Sequence, residues 1–237
     1  MMMEKKNNMP SMLSFYMKIT HLTQSGILIE LDQHILLFDY YQGELHINPH
    51  KPLYIFVSHR HYDHYNPSIF KIHHPHTAYI LSSDLRHNHT GFYVDPNQEY
   101  DFDDIHIKTL LSTDEGCAFI VQVEGKTIYH AGDLHWWHWI GEPEKDNDYQ
   151  RITYQQQIHL INEKIDYAFV VVDPRLEDAY LLGLQYFLNH VEAKYVFPIH
   201  YFGDYSTTDK LAKENLDNPY QAQLITFHHP QETYEIL

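Results

Sequence analysis

A group of metal-binding side chains directly follows a short apolar run in the first third of the chain. Residues 53–57 are rich in β-branched and aromatic side chains, which predicts a short buried strand. After one serine the sequence continues His-Arg-His-Tyr-Asp-His, from His59 to His64. Because side chains two residues apart in an extended segment point the same way, His59 and His61 can face one target. Asp63 and His64 follow as the chain turns and can face a second target beside the first.

These two sets of side chains predict one or two divalent metal ions. Imidazole and carboxylate together suit zinc, manganese or iron, and zinc is the main expectation. Histidine is abundant, with 21 of 237 residues, so isolated pairs such as His73 and His74 are uninformative. The complete pattern at the end of an apolar strand is much less expected from composition alone, and it favours a metal site.

The spacing His-x-His-x-Asp-His resembles the signature of the metallo-β-lactamase superfamily. Three further segments occur in the order that this family shows. They are the hairpin-like segment 25–39 that ends in Asp39, the segment 127–133 that ends in Asp133, and the segment 196–200 that ends in His200. The similarity extends from residue 17 to residue 230, which is nearly the whole chain.

The resemblance implies both a fold and a set of ligands. The fold is the α/β four-layer αββα sandwich (the metallo-β-lactamase fold), with the metals bound at one edge of the two sheets. The implied ligands are His59 and His61 for the first metal, Asp63, His64 and His200 for the second, and Asp133 as the bridge. Asp39 is implied to hold a ligand imidazole by a hydrogen bond. Asp63 is also a candidate catalytic group, because its carboxylate can orient the nucleophile or accept its proton.

One segment departs from the family's pattern. The family places another histidine just before the strand that matches residues 116–121, whereas residues 111–115 contain none. Water, Asp114 and His135 are the alternatives for completing the first metal site. Whether the centre holds one metal or two therefore stays open from the sequence.

Two segments are candidates for contact with a substrate. All three tryptophans of the chain lie in segment 134–139, where they either wall a substrate pocket or close the rim of the sandwich. Arg175 follows a predicted strand near the same edge, and a guanidinium can bind a phosphate or carboxylate through two parallel hydrogen bonds. The alternative is that Arg175 pairs with a carboxylate of the chain, such as Glu177.

The composition favours a globular enzyme that acts on a small molecule. A formal net charge of −16 without a basic cluster disfavours nucleic acid as a partner. The single cysteine, Cys117, excludes an internal disulfide framework and is expected to be a buried thiol. The chain has no run of 18 apolar residues, so we expect no membrane span.

Further expectations concern the organisation and location of the chain. We expect a single domain over residues 1–237, with the first 15 residues as a loose N-terminal extension. The N-terminal residues lack an apolar signal segment, which predicts a cytoplasmic location. Self-association into a homo-oligomer is left open.

Together these features predict a metal-dependent hydrolase. A metal ion lowers the pKa of bound water, so a metal-bound hydroxide can attack a small ester, lactone or phosphoester. Within the superfamily, the chain is most similar to the compact branch that resembles L-ascorbate-6-phosphate lactonase. Two alternatives are a phosphodiesterase acting on a nucleotide-like substrate and a protein that binds or senses metal without turnover.

The apolar periodicity predicts two β-rich halves, each with helices. Strands are predicted at residues 16–22, 25–31, 34–39, 53–57, 77–81, 104–111, 117–123, 127–131, 167–172, 195–197 and 224–226. Helices are predicted at residues 67–73, 148–164 and 177–191. This pattern favours two sheets packed face to face with the helices outside.

Overall fold

The structure is a computed structural model that describes residues 17–86 and 90–236. The N-terminal extension expected for the first 15 residues lies outside the described residues. Within them, two seven-stranded sheets pack against each other, with strand orders β14-β1-β2-β3-β4-β5-β6 and β13-β12-β11-β10-β9-β8-β7.

The strands of the first sheet come from the first half of the chain and from its last strand. They are β1 (Met17–Thr23), β2 (Gly26–Glu30), β3 (Ile35–Phe38), β4 (Leu53–Val57), β5 (Thr77–Ser82), β6 (Phe92–Val94) and β14 (Glu232–Ile236). The second sheet contains β7 (Glu99–Phe102), β8 (Ile105–Leu111), β9 (Cys117–Val123), β10 (Lys126–His130), β11 (Ile165–Val171), β12 (Ala193–Ile199) and β13 (Gln223–Leu224).

Short helices connect these strands. The α-helices of the described residues are α1 (Glu144–Ile158), α2 (Leu182–His190) and α3 (Ser206–Leu211), and 3₁₀ helices span Pro67–Lys71, Ser83–Leu85 and Pro174–Ala179. Among them, no helix is long and apolar enough to cross a membrane.

Each sheet has an antiparallel part and a parallel part. Strands β3 to β6 run parallel to one another in the first sheet, and so do β10 to β13 in the second. Parallel strands end at the same edge, so the loops after β3, β4, β10, β11 and β12 gather where ligands bind in such sheets.

The core explains why β4 is apolar at every position. Its Phe56 packs edge-on against Phe119 of the second sheet, with ring centroids 5.3 Å apart. Its Leu53 and Ile55 belong to an outer apolar cluster that includes Ile69 of the 3₁₀ helix Pro67–Lys71. A parallel strand covered on both faces reads as a continuous apolar run rather than an alternating one.

The two packed sheets with helices outside confirm the predicted αββα sandwich, but two helix boundaries were wrong. The helix expected at 148–164 is α1, which begins at Glu144 after Pro143 and ends at Ile158. The helix expected at 177–191 begins only at Leu182. Glu177 has φ 52° and ψ −120°, a conformation outside the helical range that breaks the preceding 3₁₀ helix.

Five elements were not predicted at all. They are the strands β6, β7 and β14, the helix α3 and the 3₁₀ helix Ser83–Leu85, and each has only three to six residues. In β7 the exposed and half-buried positions alternate, and every residue type in Glu-Tyr-Asp-Phe also occurs in loops. A weak apolar signal of this kind does not identify an edge strand. Cys117 is a buried free thiol, as expected.

Candidate metal centre

The loops that follow five strands place polar side chains at one edge of the sandwich. In chain order these are Asp39 after β3, His59 to His64 after β4, Asp133 after β10, Asp173 after β11 and His200 after β12. The backbone is left-handed at two of these positions, with φ 44° at Asp39 and φ 76° at His200. Non-glycine residues seldom adopt this conformation, and they concentrate at functional sites.

The side chains form two groups that each have the donor chemistry of a metal site. In each group, one potential ligand atom per residue lies within 4.8 Å of all the others. The first group contains His59, His61, Asp114 and Asp133, and the second contains Asp63, His64 and His200. All six ligands predicted from the sequence are therefore in these groups, with Asp114 in addition.

Asp133 lies between the two groups. Its Oδ2 is 3.6 Å from Nε2 of His59, and its Oδ1 is 3.0 Å from Nε2 of His64 and 3.3 Å from Nε2 of His200. The carboxylate of Asp133 is therefore within reach of both groups.

Four buried atoms at this point make no hydrogen bond of good geometry, although Oδ1 of Asp133 lies 3.0 and 3.3 Å from two of the imidazole nitrogens. They are Nε2 of His59, His64 and His200 and Oδ1 of Asp133. Buried polar atoms are almost always satisfied, because an unpaired one loses the hydrogen bonds that water would give it. Four of them converging from three loops fit a site for divalent cations, which bind neutral imidazole nitrogens and carboxylate oxygens.

Asp39 holds two of the histidines in place. Its Oδ2 lies 2.8 Å from Nδ1 of His64 and accepts a hydrogen bond from the Ser58 hydroxyl at 2.7 Å. The same hydroxyl lies 2.9 Å from Nδ1 of His59, and the Ser58 backbone N–H donates to Oδ1 of Asp39. Both rings therefore direct Nε2 toward the centre, which is the orienting role predicted for this buried carboxylate.

Asp173 orients the ring of His200 as Asp39 orients the ring of His64. The sequence analysis did not identify this role. Oδ2 of Asp173 is 3.1 Å from Nδ1 of His200. Arg175 binds both carboxylate oxygens of Asp173 through Nε and Nη2, so its partner is Asp173 and not the Glu177 suggested from the sequence. A signal existed, because Asp173 directly follows a buried parallel strand as Asp39 does.

The first group is open on one side. The side chains of His61 and Asp114 are each 40% exposed, and Nδ1 of His61 is 3.2 Å from Oδ2 of Asp114. The loop is braced by Arg60, which binds both oxygens of Glu115 at 2.8 Å. Asp114 thus lies in the segment that lacks the expected histidine and is the fourth member of this group.

Two glycines allow the loops to approach so closely. Gly116 and Gly132 have φ of +68° and +53°, values that favour glycine. A Cβ atom at Gly116 would lie 1.9 Å from the carbonyl oxygen of Ser58. A Cβ atom at Gly132 would lie 2.6 Å from the Cβ atom of Ser58. Any side chain at either position would displace the Ser58 support of the two histidines.

The charges within the centre are strongly coupled. Burial lowers the pKa of His59 to about 4, and the neighbouring His64 acts in the same direction. Burial also lowers the pKa of His64, but the Asp133 and Asp39 carboxylates outweigh it and raise that pKa well above its usual value. Burial opposes ionisation of Asp133, yet His64 and His200 hold its pKa well below the ordinary range.

Gln24, in the turn between β1 and β2, connects Asp63 with the segment that follows β12. The sequence analysis did not identify it. Its Nε2 donates to Oδ2 of Asp63 at 3.4 Å, and its Oε1 accepts from the Phe202 backbone N–H at 2.9 Å. Its carbonyl oxygen accepts from the backbone N–H of His200 at 3.2 Å. The residue has φ 55°, a conformation that no local sequence motif predicts.

His135 lies outside both groups, although it was an alternative ligand. It is fully buried between Trp137 and Tyr154, with ring centroids 5.0 and 6.1 Å away. A Cβ at Gly183 would come within 2.4 Å of its ring, so the start of α2 leaves just enough room for it. Desolvation lowers the pKa of His135 to about 3. The ring of His135 is therefore uncharged at neutral pH, and it packs in the interior outside both groups.

A cavity of about 390 Å³ opens beside the two groups. It is lined by His61, Tyr62, Asp63, Asp114, Asp133, Trp137, Trp139, Gln150, Arg175, His200 and Phe202. Trp137 and Trp139 are thus part of a pocket wall, as one reading of the sequence proposed. Trp136 instead lines a different cavity, near the start of α1.

Comparison with known proteins agrees with this geometry. A family model for the beta-lactamase superfamily domain matches residues 18–145, which is more than half of the chain. The chain belongs to the β-lactamase superfamily. A comparison of this superfamily member with curated proteins gave no match.

Solved structures share the fold of this superfamily member. Igni18, a metallo hydrolase from the hyperthermophilic archaeon Ignicoccus hospitalis, is 15% identical over 94% of this chain and 99% of its own, with a TM-score of 0.62. The metallo-beta-lactamase fold protein YhfI from Bacillus subtilis is 13% identical over 92% of this chain and 98% of its own, with a TM-score of 0.60.

A further structure shows that the fold also carries other chemistry. CmlA from Streptomyces venezuelae, a diiron beta-hydroxylase, is 10% identical over 93% of this chain, with a TM-score of 0.62. This chain covers 54% of CmlA. At such low identity the likeness concerns the fold, so the reaction has to be argued from the site.

Proposed function

We propose that the protein is a metal-dependent hydrolase that activates water to cleave a small ester, lactone or phosphoester. The observation that carries this proposal is the convergence of three unpaired imidazole nitrogens and one carboxylate oxygen, all buried, beside a cavity. Membership of the β-lactamase superfamily and the metallo hydrolase Igni18 among the structural neighbours support it.

The donor set favours two zinc ions, with manganese or iron as alternatives. The seven donors divide into a group of four and a group of three, and Asp133 is within reach of both. Bound divalent ions would lower the pKa of a coordinated water and polarise the attacked carbonyl or phosphoryl group. Histidine and carboxylate donors without thiolate are compatible with all three metals.

The chain's own residues hold the reacting groups. The Asp39 and Asp173 carboxylates fix the ring orientations of His64 and His200, so the ligand atoms stay in place before a substrate arrives. Asp63 lines the cavity, and its Oδ2 already accepts a hydrogen bond from Gln24. We assign to the Asp63 carboxylate the task of orienting the attacking water or accepting its proton.

The two alternatives are less well supported. Metal binding without turnover was suggested by the missing histidine, but Asp114 gives the first group a fourth donor. A nucleotide phosphodiesterase would favour a positive cavity lip. Arg175 is the one lysine or arginine among the described residues that line the cavity, so its lip carries a single cationic side chain.

Several finer expectations remain predictions. They are the likeness to the L-ascorbate-6-phosphate lactonase branch, the single domain, the cytoplasmic location, the small-molecule substrate without nucleic acid, and self-association.

The test is metal content together with hydrolysis of phenyl acetate and bis(4-nitrophenyl) phosphate. We expect two metal equivalents per chain and metal-dependent turnover of at least one of the two compounds. His200→Ala should lose metal and activity, whereas His190→Ala should retain both, because His190 is a surface residue that contacts only its own helix and neighbouring rings. Two bound metals with no turnover of either compound by the wild type would contradict the hydrolase proposal.

A further inference from the structure

The cavity beside the metal groups presents an aromatic surface that the ligand set does not use. Four aromatic side chains line it, namely Tyr62, Trp137, Trp139 and Phe202. Tyr62 is 71% exposed, Trp139 is 37% exposed and Phe202 is 39% exposed. Water contact with large rings costs hydrophobic free energy in proportion to their area. Rings left open around one polar cavity therefore indicate a flat, apolar part of a ligand.

Trp139 offers the exposed face for such a group, and the buried Trp137 packs behind it. The rings of Trp137 and Trp139 are nearly parallel, with an interplanar angle of 3° and centroids 6.2 Å apart. The indole N–H of Trp137 donates to the carbonyl oxygen of Asp133, which fixes that ring next to a candidate metal ligand. A ring bound on this wall would therefore lie close to the centre.

Arg175 adds a rigid cationic group to the same cavity. Phe202 and Trp139 flank its guanidinium, with the Cζ atom 3.7 and 5.7 Å from the ring centroids. Asp173 occupies the Nε and Nη2 edge. Among the described residues, none accepts a hydrogen bond from Nη1 of Arg175, and the Arg175 side chain is 45% exposed. The outer edge is thus free to bind an oxyanion.

The charges near the centre would not oppose an anion once metal is bound. Two divalent ions would offset the four carboxylates Asp39, Asp63, Asp114 and Asp133. Asp173 is already paired with Arg175. The overall charge of −16 acts mostly at longer range. Salt screens charges over about 8 Å at physiological ionic strength, so the local cations decide binding.

We propose that the substrate is a small aromatic ester or lactone that carries a carboxylate or phosphate group. The aromatic ring lies on the Trp137 and Trp139 wall, and the oxyanion bonds to the outer edge of Arg175. This inference rests on the proposed hydrolase function, since it assigns the class of molecule whose bond the centre cleaves. It makes Trp139 and Arg175 specificity-determining residues.

Binding of unreactive amides tests this inference without requiring turnover. Isothermal titration of the zinc-loaded protein would compare acetanilide, 4-acetamidobenzoate and 4-acetamidophenylphosphonate, whose C–P bond a hydrolase does not cleave. We expect at least one of the charged compounds to bind at least about tenfold more tightly than acetanilide, because charge-assisted hydrogen bonds are the stronger ones. The tighter of the two charged compounds identifies the oxyanion.

Two variants should separate the ring contact from the anion contact. Trp139→Ala should weaken binding of all three compounds by about fivefold, since it removes the stacking face. Arg175→Lys keeps a cation for Asp173 but loses the planar fork, so it should reduce the preference for the charged compounds to below about threefold. Tyr149→Ala and Arg86→Lys are matched controls, because both residues are exposed and neither lines the cavity.

The outcomes distinguish this inference from the hydrolase proposal. Equal binding of the three compounds, no measurable binding, or a charge preference that survives Arg175→Lys would overturn the inference even if the protein hydrolyses phenyl acetate. The last result would mean that the anion binds the metals directly. The expected binding pattern without any hydrolysis would instead contradict the hydrolase proposal and leave the binding specificity intact.

Discussion

The two candidate ligand groups lie side by side but differ in how the fold supports them. In the group of Asp63, His64 and His200, both imidazole rings are buried and each has its own carboxylate partner. In the other group, His59 has an indirect support through Ser58, while His61 and Asp114 are 40% exposed. The same ligand chemistry therefore occurs in one preorganised site and one open site.

From this difference we expect one group to provide metal affinity and the other to provide access for the substrate. Ligands held by packing and hydrogen bonds lose little freedom when a metal binds, whereas exposed side chains must be ordered at that moment. We expect the buried group to hold its metal firmly, and the open group to exchange its metal more readily and to face the substrate.

The largest expected effect comes from the residue that both groups share. Asp133→Asn should lower metal content at both positions and reduce turnover by about 1,000-fold, because metal assistance is worth several kcal/mol. Metal analysis and hydrolysis of phenyl acetate would measure both. Asp148→Asn, which changes an exposed carboxylate paired with Arg151, serves as the control. Full metal content in Asp133→Asn would show that the groups do not depend on a common bridge.

The second prediction tests directly whether the two groups bind metal with unequal affinity. Titration of metal-free protein with zinc should show two steps that differ by about tenfold or more in affinity, as expected when one ligand set is preorganised. His61→Gln should remove the weaker step and His200→Gln the tighter one. The opposite assignment, or two equal steps, would mean that burial does not set the order of binding.

The third effect concerns the supporting carboxylates. Asp173→Asn should weaken only the buried group, by about 10- to 100-fold, as is typical for hydrogen-bond partners of ligand histidines. Asp39→Asn should weaken both groups, because Asp39 contacts His64 directly and reaches His59 through Ser58. Stepwise zinc titration of the two variants would compare them. Identical effects of the two substitutions would contradict the proposal that Asp173 supports one group and Asp39 supports both.

The fourth effect is a pH dependence of the buried group. The pKa of His64 lies well above its usual value, because Asp133 and Asp39 outweigh burial, so its proton stabilises the metal-free protein and that contribution is lost as pH rises through this pKa. A metal must displace the proton, and affinity should rise by about tenfold per pH unit below that pKa. His59, with its pKa lowered to about 4, releases no proton at neutral pH.

Calorimetry in two buffers of different ionisation enthalpy would count the protons that are released. We expect release on binding to the tight step and little on binding to the weak step. A pH-independent tight step would show that His64 is neutral before the metal arrives.

The weakest predicted effect concerns the ion pair between Arg60 and Glu115 beside the open group. Arg60→Gln removes the ion pair with Glu115, which is largely exposed, so the affinity of the weak step should change by less than about fivefold. The tight step should not change. A large effect on either step would indicate that the loop is held mainly by this pair.

Sequence reasoning predicted six members of the two candidate groups because their signal is local. His59 to His64 stand next to one another in the sequence, and Asp133 and His200 each end an apolar run that predicts a strand. Asp114 could only be offered as an alternative, because its place beside His61 depends on how two loops from different sheets meet. The strands that carry these loops were predicted well, since buried strands read as apolar runs.

The residues that were missed act through long-range contacts or weak patterns. Gln24 contacts Asp63 and the Phe202 backbone, far away in the chain, and nothing in its own neighbourhood marks it. The edge strands β7 and β14 expose many polar side chains, so burial leaves little trace in their sequence. The late start of α2 follows from one left-handed residue, Glu177, which propensity alone does not reveal.

The contacts of Gln24 also set an order of events during synthesis. The chain leaves the ribosome from its N-terminus, so the Gln24 hairpin and the histidines at 59–64 emerge long before His200, the residue whose backbone Gln24 binds. Until then, the ligand set lacks its last histidine, and the second sheet lacks the strands β12 and β13. The group of Asp63, His64 and His200 is therefore expected to become complete only after translation of the β12 strand.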